Sequence, residues 1–137
     1  MQKIKLEDAI QTINMIVDVA KKDKGLPVAI VITNINGTVI AAATMDEAPE
    51  RVVRIAELKA YTAAKMRIST LDFLKRLRDE QIQVEWFGDD NFSPLPGGVP
   101  IYVQNLCIGA IGVSGRDLYE DVRLAEICVD FFTSLQG

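Results

Sequence analysis

Histidine is absent from this sequence. That removes the commonest general base, the commonest metal ligand and the usual axial ligand of haem iron. No Ser-His-Asp or Cys-His mechanism can operate within the chain. Cysteine is scarce: Cys107 and Cys128 stand apart, fit no metal-binding or redox spacing, and read as two reduced core thiols. No apolar run approaches the roughly 18 residues that a membrane span requires. Positive charge is in deficit, with 15 Lys and Arg against 19 Asp and Glu and a net charge of −4. No basic face therefore offers itself to nucleic acid or to an anionic membrane. The opening "MQKIKLEDAIQT" is charged and amphipathic and lacks the apolar core of a signal peptide. With so little cysteine, this predicts a cytoplasmic protein.

What is present suffices for a single domain spanning 1–137. A chain of this length buries roughly two thirds of the surface its unfolded form exposes, so folding needs neither a disulfide nor a metal. Leu6, Ile10, Ile13, Val17 and Ala20 recur at helical spacing, and Gly25 follows "KKDK" as a stop signal. "LPVAIVITNINGTVIAAATM" reads as a hairpin turning at Asn36-Gly37. Pro49 fits the first turn of a second helix. That helix carries a small apolar stripe of Val52, Ala56, Ala60, Ala63 and Met66, with Lys59 set within it. "STLDFLKRLRDE" predicts a third helix capped by Ser69 or Thr70. "IQVEW" suggests a short strand. Val99–Val103 and Leu106–Val113 form a second hairpin at Gln104-Asn105. The last helix opens with Asp117 and Glu120 in the manner of a capping box and carries two apolar stripes. Hairpins separated by helices predict an α+β domain, an antiparallel sheet built from hairpins with helices packed on it.

One segment breaks the chain's habits. From Asn91 to Gly115 no residue is charged, and Pro94–Gly115 holds five of the nine glycines. "GAIGVSG" is neither the dinucleotide fingerprint nor a P-loop, and "GVSGR" misses the nucleophile elbow by one position. Two readings coexist. Gly109 and Gly112 let a helix or a neighbouring chain approach a strand closely. Alternatively, "PGGVP" and Ser114-Gly115 present bare N–H groups to a ligand. Lys59 either snorkels from the edge of its stripe or is buried beside a carboxylate, for which Asp121 is the first choice.

The segments "MDEA" (45–48), "IAELKAYTAA" (55–64), "PGGVPI" (96–101) and "IGAIGVSG" (108–115), followed by Asp121, resemble the GlcG/HbpS family. That family, also called the haem-degrading domain family, includes the C-terminal domain of PduO-type corrinoid adenosyltransferases. The resemblance covers essentially the whole chain. It implies a profilin-like fold, homo-oligomers from dimer to octamer, and small-molecule binding, with haem bound by some members. It also implies an accessory place in small-metabolite utilisation. The chain departs from the family's pattern at Asn34, Thr44, Glu47, Val52 or Val53, and Val122. Thr44 replaces an Arg able to hold a propionate, and the histidine used by some haem-binding relatives is missing. The cofactor is therefore left open.

The leading expectation is a small-molecule binding or sensing module, without catalysis of its own, assembled as a homo-oligomer. Its ligand would meet Met45, Lys59, Gly97, Gly98, Pro100, Ser114 and Gly115, with no metal-ligating set. One rival is an enzyme using Lys59 with Asp121 or Asp46 in acid/base chemistry on a small carbonyl or hydroxy acid. The other is a purely structural assembly protein.

Overall fold

The computed structural model describes residues 3–137. Helix α1 spans Leu6–Lys22, followed by strands β1 (Ala29–Asn34) and β2 (Val39–Thr44). Helices α2 (Arg51–Met66) and α3 (Thr70–Asp79) come next. Strands β3 (Gly98–Val103) and β4 (Leu106–Ser114) lead into helix α4 (Leu118–Ser134). The four strands form one antiparallel sheet in the order β2-β1-β4-β3. Each hairpin supplies one central and one edge strand, and the two central strands join the halves. This is the expected profilin-like α+β domain.

Both faces of the sheet are covered. Ile30, Ile32, Ile111 and Val113 point to a core shared with α1 and α4, including Ile16, Leu124 and Phe132. Ala29, Val31 and Ala110 point the other way, to Ala56, Ala60 and Ala63 of α2. One side is thus packed with large side chains and the other with small ones. Coverage on both sides explains why β1 and β4 read as nearly continuous apolar runs rather than alternating ones.

Local chemistry accounts for the turns. Asn34 Oδ1 accepts from the N–H groups of Asn36 and Thr38, closing the first hairpin. Gln104 and Asn105 both take positive φ, 52° and 65°, as a tight hairpin turn demands. Ser69 caps α3 by accepting from Asp72 N, and Asp117 caps α4 by accepting from Glu120 N.

Three expectations are corrected. "IQVEW" is no strand: Val84–Phe87 forms a short 3-10 turn. With α3 packed beside β3, this segment instead lays Phe87 edge-on against Phe73. The buried face of α1 is Ala9, Ile13, Ile16 and Ala20, leaving Leu6 and Ile10 exposed at 55 % and 46 %. Glu120 does not complete a capping box, because its carboxylate binds Arg116 and Arg123 instead.

Candidate functional site

Two glycines of the uncharged segment, Gly98 and Gly112, sit where α2 crosses the sheet, whereas Gly109 lies against Thr33 and Ile4 and Gly115 against Pro27 and Val28. Gly112 pairs with Gly98 across β4 and β3. A methyl group on Gly112 would collide with the backbone carbonyl of Ala56, and one on Gly98 with that of Lys59. Helix α2 therefore rests directly on strand backbone, which only glycine permits at these positions.

That approach brings Lys59 down beside the end of β4. Its Nζ donates to Val113 O at 2.9 Å and to Asp121 Oδ2 at 3.0 Å. Lys59 and Asp121 are each only 1 % exposed. Gly97, at φ +127°, passes so close that a Cβ there would lie 2.8 Å from Nζ and 2.7 Å from Val113 O. The second oxygen of Asp121 accepts from Arg116 N at 3.0 Å. The bare N–H corner read at Ser114-Gly115 is thus served by the chain's own carboxylate. Burial pulls the Lys59 ammonium below its ordinary range and pushes the Asp121 carboxyl above its own, while their mutual attraction opposes both shifts.

Of the sequence-derived site residues, Lys59, Asp121, Gly97, Gly98 and Ser114 are buried together, and Gly115 turns beside them at φ +136°. Pro100 lies half-buried on β3, opposite Ala110. Met45 and Asp46 belong elsewhere. Met45 Sδ accepts from Val28 N, and both residues line a shallow recess against α1 with Asn14 and Lys21. Asp46 is exposed and makes no hydrogen bond or ion pair with Lys59 among the described residues.

Two features escaped the sequence reading. The first is an ionic clasp. Arg116 grips Asp23 with both terminal guanidinium nitrogens, at 2.7 and 2.8 Å, and its Nε donates to Leu26 O. These bonds hold Asp23 well below the ordinary carboxylate range. Nothing local in "SGRD" announces a partner 93 residues away.

The second is an open cleft of about 450 Å3 at the opposite end of β4. From Cys107 to Val113 the strand runs about 20 Å, at roughly 3.4 Å per residue. Ile4, Ile40, Leu106 and Ile108 form the walls, and Arg67, Lys3 and Asn34 stand among them. Cys107 also lines it, donating to Gly109 O, with burial pushing its thiol up. Burial raises the Cys128 thiol as well. Among the described residues no three Cys, Asp or Glu side chains gather as a metal site requires. The only sequence signal for the cleft was an arginine closing α2 where glycine or asparagine is usual.

A four-stranded antiparallel sheet with helices on both faces, a glycine-seated central helix and an open end define a small α+β domain of the profilin-like class. Residues 4–130 match the family described as haem degrading protein HbpS-like, and the chain belongs to that family. A 15.0 kDa protein of Citrobacter freundii, described as uncharacterized and encoded in the dhaT-dhaS intergenic region, is 28 % identical over 112 residues. That match covers 80 % of this chain and 79 % of the relative. The crystal structure of Klebsiella pneumoniae protein ORFY, of the DUF336 family, superposes with a TM-score of 0.88 at 25 % identity, covering 99 % of this chain and 94 % of that one. A double mutant of Streptomyces reticuli HbpS gives 0.84 at 23 % identity, covering 100 % and 89 %. A PduOC–haem complex gives 0.84 at 22 % identity, covering 95 % of each chain.

Haem can be tested against the side chains present. The cleft's aliphatic walls suit a macrocycle and its cations suit propionates. The iron is not served. Cys107 is held as a neutral thiol, and Met45 Sδ is engaged by Val28 N. Tyr102 donates to Arg67 O and Tyr61 to Asp89. Tyr119 is free at 83 % exposure but lies on α4, past the other end of β4. None of these side chains, as placed, offers haem iron a strong axial ligand.

Proposed function

We propose that this protein is a small-molecule binding or sensing module, assembled as a homo-oligomer and accessory to small-metabolite utilisation. The observation that carries the reading is the cleft. Its volume lies within the roughly 300–1,000 Å3 typical of ligand pockets, and its walls are apolar with a few polar groups between them. Tetrapyrroles belong among the ligand classes to try, because a structural relative is a PduOC–haem complex. Self-association is supported by Leu6 and Ile10, which sit one turn apart on α1 and are exposed at 55 % and 46 %.

The acid/base alternative has its lysine and its carboxylate in contact. It needs a substrate beside Nζ, and the backbone of Gly97 and Val113 fills that place. The pair reads better as a support of the fold than as a catalyst. The test is native mass spectrometry of protein purified from its own host. The expected result is an assembly of several chains, each carrying one small molecule. A bare 15.1 kDa chain would overturn both parts of the reading. Added hemin should give a broad, non-saturating absorbance change. A sharp Soret shift saturating at one haem per chain would show an axial ligand that this account denies.

A further inference from the structure

The cleft's charge runs against that of the molecule. The chain carries four more acidic than basic side chains, yet the residues lining the cleft include Lys3 and Arg67 and no Asp or Glu. Four other arginines are engaged, Arg54 with Glu57, Arg76 with Glu80, and Arg116 and Arg123 with Asp23 and Glu120, while Arg51 and Arg78, like Arg67, have no such partner among the described residues but lie away from the cleft. The Arg67 guanidinium has no hydrogen-bond or ion-pair partner among the described residues. Its backbone is fixed all the same. Arg67 ends α2 in the left-handed region at φ 60°, its N–H bonded to Ala63 O and its carbonyl to the Tyr102 hydroxyl at 2.6 Å. A non-glycine residue rarely takes this conformation, and here it holds the arginine at the cleft. Asn34 adds a second donor. Its Oδ1 is spent on the Asn36 and Thr38 N–H groups, which leaves Nδ2 without a partner among the described residues.

Aliphatic walls, an unspent planar fork of donors and no acidic lining residue describe the complement of an amphipathic anion. We propose that the cleft between the first hairpin turn, Arg67 and the start of β4 binds a small organic carboxylate with an apolar body, its carboxylate held by Arg67. The inference rests on the binding-module reading and narrows it to one ligand chemistry. A neutral molecule of the same shape would fill the walls but leave Arg67 unpaired. An anion without an apolar body would forgo the walls.

The test uses decanoate and 1-decanol as matched probes in calorimetric titrations of the full chain. Decanoate should bind at least ten-fold more tightly than decanol. Arg67→Gln should remove most of that preference without moving the melting temperature, because the guanidinium makes no hydrogen bond or ion pair within the fold. Leu106→Glu, at a position 51 % exposed on the cleft wall, should weaken decanoate through charge repulsion and decanol much less. Equal affinity for the two probes, or unchanged decanoate affinity in both variants, would overturn the proposal. If a ligand still co-purifies with Arg67→Gln at one per chain, the module reading stands and this site assignment fails.

Discussion

The two ends of strand β4 are built to opposite rules. At Gly112–Gly115 the strand has no side-chain bulk toward α2, and everything near it is closed. Helix backbone lies on strand backbone, and a lysine and an aspartate satisfy one another out of reach of water. At Leu106–Ile108 the side chains are apolar, and Leu106 stands half exposed on the wall of an open cleft over the buried Cys107 and Ile108. The glycine-rich end has the look of a ligand loop in sequence but acts as a seat for a helix. The end that reads as an ordinary strand faces the cleft. Backbone bareness invites whatever is nearest, and within a 137-residue domain the nearest group is another part of the same chain.

The largest way to break this comparison is to strand the buried charge. Lys59→Met leaves the buried Asp121 carboxyl without its cation, and should cost about 3–5 kcal/mol. Adding Asp121→Asn should recover a large part of that loss. A double-mutant cycle from chemical denaturation measures the coupling, and additive effects would show that the ion pair does not hold this end together.

Next comes bulk at the two ends. Gly112→Val should cost about 3 kcal/mol, the upper part of the usual overpacking range, because the obstacle is the Ala56 carbonyl rather than a movable side chain. Leu106→Ala at the open end should change stability by less than about 0.5 kcal/mol. Similar denaturation midpoints for the two variants would erase the contrast.

The smallest effect concerns the clasp that anchors the closed end. Asp23 and Glu120 have carboxyls held below their ordinary values by Arg116 and Arg123. A depressed carboxylate contributes stability above its unfolded pKa and loses it as pH falls toward the folded value. The contribution should be intact at neutral pH and fade below about pH 4, where free carboxylates protonate. Asp23→Asn should lower stability at pH 7 and flatten the acid limb of a melting-temperature profile. Parallel profiles for the two proteins would mean that the clasp is ornamental.

Much of the architecture was legible because its causes are local. The period of α2, the Gln104-Asn105 turn and the Ser69 cap depend on residues a few positions apart, and so does the first turn, which centres on Ile35-Asn36 with Gly37 left-handed after it, one residue before the place read for it. The failures also have local explanations. "IQVEW" has the composition of a strand, but α3 lies beside β3, and the segment turns to pack Phe87 on Phe73. Leu6 and Ile10 share the period of α1 but lie outside the arc that the sheet covers. For the site, the Lys59–Asp121 contact could be anticipated from the cost of a lone buried cation. The cleft could not be anticipated, because its donors come from the end of α2, the first turn and the amino terminus, and the arginine at the end of α2 does not by itself say what it faces.

The sequence by itself determined the α+β class, the hairpins and the exclusion of histidine-based chemistry, and it made Asp121 the partner Lys59 would take if buried. Each follows from composition or from spacing within one element. Tertiary structure alone decided that Gly112 meets a helix of its own chain, that Arg116 reaches Asp23, and that Arg67 is left with its donors unspent beside an apolar cleft. Those outcomes depend on which surfaces meet across the sheet. A hydrogen bond between residues 93 apart has its energy set by a distance that no local pattern encodes.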